Sequence, residues 1–316
     1  TMFRIEKEKF GELDSININN EEEGIELQII TQFGSIINKY IVNHSPFSFI
    51  SGYKSCQELI ETNPFFSRSA KLFPFPNRLD KGHYSYHSQS FQLPANFSWS
   101  DHAVHGLLYN QPFKCIHSQA SQTEAELTLR FETERLCDGY PYAFRLDTHF
   151  HINLVGDLTC TTSITNLSDQ TMPFGDAWHP YFSLGGDRSE CLLHMPSCFE
   201  LEHIEDLPSG QRSTFSNFVS PTSLAEYQLN HCFEFGPQTP IELTLSRADN
   251  RACLTYRQDN NYPYIQLYTP ASEQSIAIEP MTCPANAFNN HIGLLHLAPG
   301  QQQSFQWQCE AQYSSH

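Results

Sequence analysis

Apolar and polar residues alternate one by one, in short runs, along nearly the whole of this 316-residue chain. Such runs occupy residues 126–131, 144–154, 158–164, 241–245, 264–268, 275–279 and 304–313. A strand turns successive side chains to opposite faces, so each run reads as a strand with one buried face. Turn formers separate them: Gly139, Gly156 with Asp157, Gly185 with Gly186, Gly210, Asn260 with Asn261, and Gly300. Helical periodicity is confined to residues 54–61 and a short stretch at 286–291. Many short strands without helices between them exclude a parallel α/β sheet and predict an all-β sandwich or barrel with few short helices. Aromatic residues, 13% of the chain, suit pleated and half-buried surfaces. With no internal repeat, low-complexity tract or linker, residues 1–316 are expected to form a single domain.

Charge narrows the class of partner. Acidic residues outnumber basic ones 35 to 18, a formal charge of -17, which repels phosphate backbones and anionic lipids. No nucleic-acid or membrane partner is therefore expected. The apolar run at 29–42 is broken by Gln, Asn and Lys, and the first residues lack a basic region followed by an apolar core. Ten cysteines lie without CxxC spacing, several inside strand-like runs (Cys160, Cys253, Cys309), which predicts reduced thiols and a cytoplasmic setting.

Four segments concentrate polar, titratable and conformationally restricted residues. In Phe73-Pro74-Phe75-Pro76-Asn77-Arg78, two prolines fix φ and remove two donors, giving a stiff segment that presents Asn77 and Arg78. Taken alone it reads as a proline-rich edge loop. His105-Gly106 pairs an imidazole with a residue that permits a sharp turn or close approach. In Gly175-Asp176-Ala177-Trp178-His179-Pro180-Tyr181-Phe182 and Ile276-Ala277-Ile278-Glu279-Pro280-Met281-Thr282, a proton-transfer residue immediately precedes proline. That neighbour disfavours the α region, so His179 and Glu279 are expected on extended backbone. Alternation places Ile276 and Ile278 on one face and Ala277 with Glu279 on the other, and puts Asp176 opposite His179. A strand-end carboxylate and a packed histidine would leave the same pattern.

Together, FPFPNRLDKGHY, HGLLYNQPF, GDAWHPYFSL and IAIEPMTCPANAFNN, in this order and spacing, resemble the galactose mutarotase-like (aldose 1-epimerase) family. The resemblance implies a large antiparallel β-supersandwich with a sugar in an open cleft, and a monosaccharide as the small-molecule partner. It implies Glu279 as general base and His179 as general acid, with Arg78 and His105, beside Asn77, holding sugar hydroxyls. Interconverting anomers needs the C1 hydroxyl deprotonated and the ring oxygen protonated, chemistry that calls for no metal or nucleotide cofactor. Nearby acidic groups are expected to raise the His179 pKa. Where the family pattern has an aspartate, Leu229-Asn230-His231-Cys232-Phe233 carries Asn230, which accepts and donates but has no charge. Trp178 and Tyr181 are candidates for stacking on a sugar face, and equally for packing in the sheet.

Two other readings rest on the same scaffold. Arg68, Lys71, Arg78 and Lys81 cluster in a chain short of base, which would suit a hexose 6-phosphate. A non-catalytic sugar-binding module would need hydroxyl contacts but no acid–base pair. His149-x-His151 offers two imidazoles on one strand face without a third ligand, so no metal site is expected. A glycosidase needs two carboxylates flanking the bond, and Glu279 has no evident partner. A monomer or homodimer is expected.

Overall fold

The alternating runs resolve into two large antiparallel sheets in the computed structural model, which describes residues 2–316. A nine-stranded sheet runs in the order Lys114–Ala120, Glu124–Thr133, Phe144–Asn153, Leu158–Asn166, Gln302–Tyr313, Ala252–Gln258, Ile241–Arg247, Cys191–His194 and Thr222–Ser223. Phe144–Asn153 shows why the pattern is so regular. Phe144, Leu146, Thr148, Phe150 and Ile152 are buried, while every residue between them is half-buried. One face of this sheet packs inward and the other meets solvent, as antiparallel sheets commonly do.

The second sheet follows the order Leu207–Phe215, Cys198–Ile204, Asn230–Glu234, Tyr264–Tyr268, Ile276–Met281, Ala177–Trp178 and Lys71–Leu72, with Tyr181–Phe182 also pairing with Ile276–Met281. Its inner face meets the first sheet. Trp178 lies edge-on to Phe150 and Trp307, at ring-centroid distances of 5.8 and 5.9 Å. Ile276 and Ile278 join the same core, as their alternation requires. A fully buried aromatic or branched side chain contributes about 1.5–3 kcal/mol, so this interlayer seam holds the two sheets in a fixed relation. The outer face of the second sheet is left free to floor a cleft.

A further sheet, Arg4–Phe10, Leu13–Asn20, Ile25–Ile30 and Ile36–Ile41, covers one end of the core with Ile16, Ile18, Leu27, Ile29 and Ile37. Helix α1, Cys56–Phe66, begins where Ser55 accepts a hydrogen bond from the Glu58 N–H at 3.1 Å. It runs to Phe66, past the expected 54–61, with Pro64 inside its last turn. Helix α2 covers Ala287–Asn290, within the stretch expected at 286–291. No helix among the described residues is long and apolar enough to cross a membrane. All ten cysteines are free, and Cys160 and Cys309 are buried.

Candidate active site

Glu279 owes its position to register. Its strand pairs with Tyr264–Tyr268 so that Glu279 lies beside Gln266 and Ala277 beside Tyr268, while Tyr181 flanks Ala277 on the other edge. Side chains directly opposite one another share a face. Ala277, the smallest of this row, leaves room next to the carboxylate. His179 follows Ala177–Trp178, and because Trp178 points into the core the imidazole points the other way, onto the cleft floor. Its backbone is clamped: the N–H donates to Ala70 O at 3.2 Å and the carbonyl accepts from Ser69 N at 2.8 Å. His179 Nε2 lies 3.4 Å from Glu279 Oε1.

A buried ion pair fixes this strand from below. Lys71 Nζ is 2.6 Å from Asp176 Oδ1 and donates to Ala177 O at 2.7 Å. The Tyr262 hydroxyl donates to Asp176 Oδ2 at 2.6 Å, and Asp176 N donates to the Thr282 hydroxyl at 2.8 Å. Asp176 is thus committed to the core on the face opposite His179, as alternation requires. The same ties join the histidine strand to residues just beyond Glu279.

Asn77 and His105 hold each other. His105 N donates to Asn77 O at 2.8 Å, and Asn77 N donates to His105 Nδ1 at 3.1 Å. An accepting Nδ1 leaves the proton on Nε2, so His105 is a neutral donor toward the cleft. Both residues have left-handed backbone, φ 58° and 62°, a strained conformation of the kind found at ligand sites. Gly106 is required beside them: a Cβ there would lie 2.3 Å from the Phe73 carbonyl oxygen. Arg78 bonds Asn77 Oδ1 through Nη1 at 3.2 Å, and its guanidinium lies 5.5 Å from the Trp99 ring centre.

Burial governs the charges. His179 is 5% and Glu279 4% exposed. Desolvation lowers the His179 pKa to about 3, with the Arg68 guanidinium adding to the effect, and raises that of Glu279 well above the carboxylate range. The expected raising of His179 by acidic neighbours is therefore corrected. Burial thus favours the uncharged forms of both, a neutral imidazole and a protonated carboxyl, which together hold one proton. Burial also lowers the His105 pKa, further depressed by His179 and Arg78.

A cavity of about 220 Å³ opens above this pair, lined by Asn77, Arg78, His105, His179, Asn230 and Glu279. These six expected residues come together. Trp178 does not: it is fully buried between the sheets, its indole N–H donating to the Thr162 hydroxyl at 3.0 Å. Its adjacency to His179 puts it on the wrong face for a sugar, and that expectation is corrected. The aromatic side chains at the cavity are instead Phe65, Trp99, Tyr181 and Tyr268. Trp99 and Phe65 are exposed, which only their loop and helix-end positions could have suggested. Gln266 also lines the cavity. It donates from Nε2 to Asn230 Oδ1 at 2.9 Å, while its buried Oε1 has no partner among the described residues. Asn230 keeps its amide N–H groups for a ligand.

The four basic residues do not converge. Arg68 is buried against Phe66 and paired with Glu273 at 2.8 Å, Lys71 is sealed in the core, and Lys81 is exposed near Asp101. Only Arg78 lines the cavity, so the basis for a phosphate patch is lost. On the outer face of the other sheet, His149 and His151 face Glu126 and Glu124, at 3.3 and 2.9 Å.

Residues 14–309 match the family model described as aldose 1-epimerase. The Escherichia coli (strain K12) protein YihR, described as uncharacterized, is 27% identical over 241 residues, 72% of this chain and 74% of that protein. A galactose mutarotase-like protein from Clostridium acetobutylicum superposes with TM-score 0.87 at 18% identity, covering 99% of each chain. A galactose 1-epimerase from Lactobacillus acidophilus gives 0.81 at 17% identity, again over 99% of each. These structures share this chain's antiparallel fold, the galactose mutarotase-like architecture that the resemblance implied. With a matched segment that takes in every residue of the cavity just described, the chain belongs to the aldose 1-epimerase family.

Proposed function

We propose that this protein is an aldose 1-epimerase that interconverts the α and β anomers of a free aldose. The observation that carries the reading is the 3.4 Å approach of His179 Nε2 to Glu279 Oε1 at the floor of a cavity of about 220 Å³ lined by hydrogen-bonding side chains.

The pair needs a single proton. Moving it from Glu279 to His179 turns two neutral groups into carboxylate and imidazolium without changing the net charge of the site. The carboxylate takes the proton of the C1 hydroxyl, and the imidazolium protonates the ring oxygen. The C1–ring oxygen bond breaks, the aldehyde forms, and the C1–C2 bond rotates. Reclosure on the other face returns both protons and leaves the pair as it began. Each positioned proton transfer is worth about 10²–10⁴ in rate. Sugar hydroxyls entering a buried site also replace missing water around the transient charges. Arg78, His105 Nε2–H and the Asn230 amide donate to hydroxyls, Gln266 Oε1 accepts from one, and Trp99 and Phe65 flank the ring.

Polarimetry of freshly dissolved α-D-glucose and α-D-galactose tests the reading, with glucose 6-phosphate for comparison. Accelerated approach to the equilibrium rotation with a free sugar, and a weaker effect with the phosphate, is expected. No acceleration with either free sugar by folded protein would overturn it. Faster turnover of the phosphate would transfer the activity to phosphorylated hexoses.

A further inference from the structure

Arg68 is 3% exposed and stands behind the cavity rather than in its lining. Its Nη2 is paired with Glu273 Oε1 at 2.8 Å, and its Nε is buried with no partner among the described residues. Replacing a buried ion pair with apolar side chains of similar size is often neutral or stabilising. Stability alone therefore does not explain a guanidinium at this position.

Its surroundings do. The guanidinium carbon lies 4.2 Å from the ring centre of Phe66, 5.4 Å from that of Tyr181 and 5.5 Å from that of Tyr53. Tyr181 in turn stacks on His179, with ring centres 4.9 Å apart and planes 19° from parallel. The Tyr181 hydroxyl donates to Phe66 O at 2.7 Å, which ties the far end of that ring to helix α1. Backbone bonds run the same way: Arg68 N donates to the Tyr53 hydroxyl at 2.9 Å, and Ser69 N to His179 O at 2.8 Å. On either side of Arg68 the backbone is left-handed, φ 50° at Ser67 and 53° at Ser69, a strained turn that aims the side chain inward. Glu273 is held as firmly. Arg188 Nη1 donates to the carbonyls of Pro270, Glu273 and Ser275 at 3.1, 2.6 and 2.8 Å, and Ser275 directly precedes the strand of Glu279.

We infer that Arg68 is a positioning residue for His179, acting through the ring of Tyr181 and held in place by Glu273. A guanidinium is attracted to aromatic faces and lies flat against them. It steadies the Tyr181 ring, and the stack fixes the plane of the imidazole, so that Nε2 stays on Glu279. Its charge acts in the same direction, opposing an imidazolium at rest. The other titratable and charged groups around the imidazole are Glu279 at 3.4 Å, His105 at a ring-centre distance of 5.2 Å, Tyr181 and, across the cavity, Tyr268 and Arg78. Lys71 and Asp176 pair with each other on the opposite face. An imidazolium formed near a fixed cation is a stronger acid toward a weakly basic ring oxygen. The effect of Arg68 on turnover rests on the epimerase reading; its hold on the imidazole does not.

The test reads kcat, KM, Tm and the histidine NMR signals of wild type, Arg68→Met, Arg68→Lys and Glu273→Gln at pH 7, with His179 assigned through His179→Asn. Arg68→Met keeps the apolar stem and leaves the Glu273 side chain, 38% exposed, to water, so Tm should move by no more than about 4 °C. Its kcat should fall about tenfold with KM within about twofold, the mark of an acid held out of line rather than of a lost sugar contact. The His179 ring-proton signals, displaced by the Tyr181 ring current, should move toward their unstacked positions. Arg68→Lys keeps the charge without the plane and should lie between Arg68→Met and wild type in both readouts. Folded Arg68→Met with unmoved His179 signals would overturn the positioning role. Should Arg68→Met not fold, unmoved signals in Glu273→Gln would overturn it equally. Moved signals in Arg68→Met, with no mutarotation by wild type, would uphold the positioning and overturn the epimerase reading. Mutarotation by wild type, with kcat and signals unchanged in Arg68→Met, would do the reverse.

Discussion

Acidification should destabilise this protein through His179, and asparagine at that position should remove the effect. Burial holds the folded-state pKa near 3, against an ordinary 6.5 for the unfolded chain. A group whose pKa is lowered on folding leaves stability intact above the unfolded value and removes it as pH falls toward the folded one. Between pH 7 and pH 5 the unfolded chain takes up about three-quarters of a proton here and the folded protein almost none. By linkage, the native state loses on the order of 2 kcal/mol over that range. With only 5% of the residue exposed, solvent screening reduces this little. Urea unfolding of wild type and His179→Asn at pH 7, 6 and 5, followed by the fluorescence of the buried Trp178 and Trp307, measures the difference directly. Groups whose titration does not depend on residue 179 cancel in the comparison, and Glu279 cancels as long as burial keeps it protonated in both. The variant should gain about 2 kcal/mol on wild type between pH 7 and pH 5. A difference constant to within about 0.5 kcal/mol would overturn this assignment, because it would mean that His179 takes up its proton over the same pH range in the folded protein as in the unfolded chain.

Trp99→Ala should raise KM about five- to tenfold with kcat little changed, since the lost contact is a stacking surface. Trp178→Phe should instead leave KM alone and lower stability by about 1–3 kcal/mol, because the Thr162 hydroxyl loses its donor; steady-state polarimetry and thermal unfolding separate the two. Lys71→Met strands the Asp176 carboxylate in the core and should cost about 3–5 kcal/mol, much of it recovered in the double variant Lys71→Met with Asp176→Leu. Gly106→Ala drives a methyl against the Phe73 carbonyl and should move His105, seen as a raised KM together with a lowered Tm.

Strand positions were legible because each alternating run has one face against the other sheet, as at Phe144–Asn153. His179 and Glu279 could be singled out for a related reason: each sits on a strand whose neighbours anchor in the core, with proline next in sequence. Of the two readings open to Trp178, stacking on a sugar and packing in the sheet, its burial selects packing, in line with the alternation that separates both Asp176 and Trp178 from His179. Gln266 gave no sign. Only the register that sets it beside Glu279 brings it to the cleft, and register between strands is a tertiary fact. Lys71 and Asp176 are 105 positions apart by their numbers, so nothing local identifies their buried contact. Phe65 and Trp99 lie at a helix end and in a loop, where periodicity carries no information.

On the proposed mechanism His179 and Glu279 act as one proton-sharing unit. Its most direct test is the enzyme-dependent rate of mutarotation for wild type, His179→Asn, Glu279→Gln and the double variant, under conditions where all four are folded. Each single substitution should cost about 10²–10⁴ in kcat, and the double variant should lose little more than the worse single. Full activity in either single variant, or losses that multiply in the double, would contradict the account.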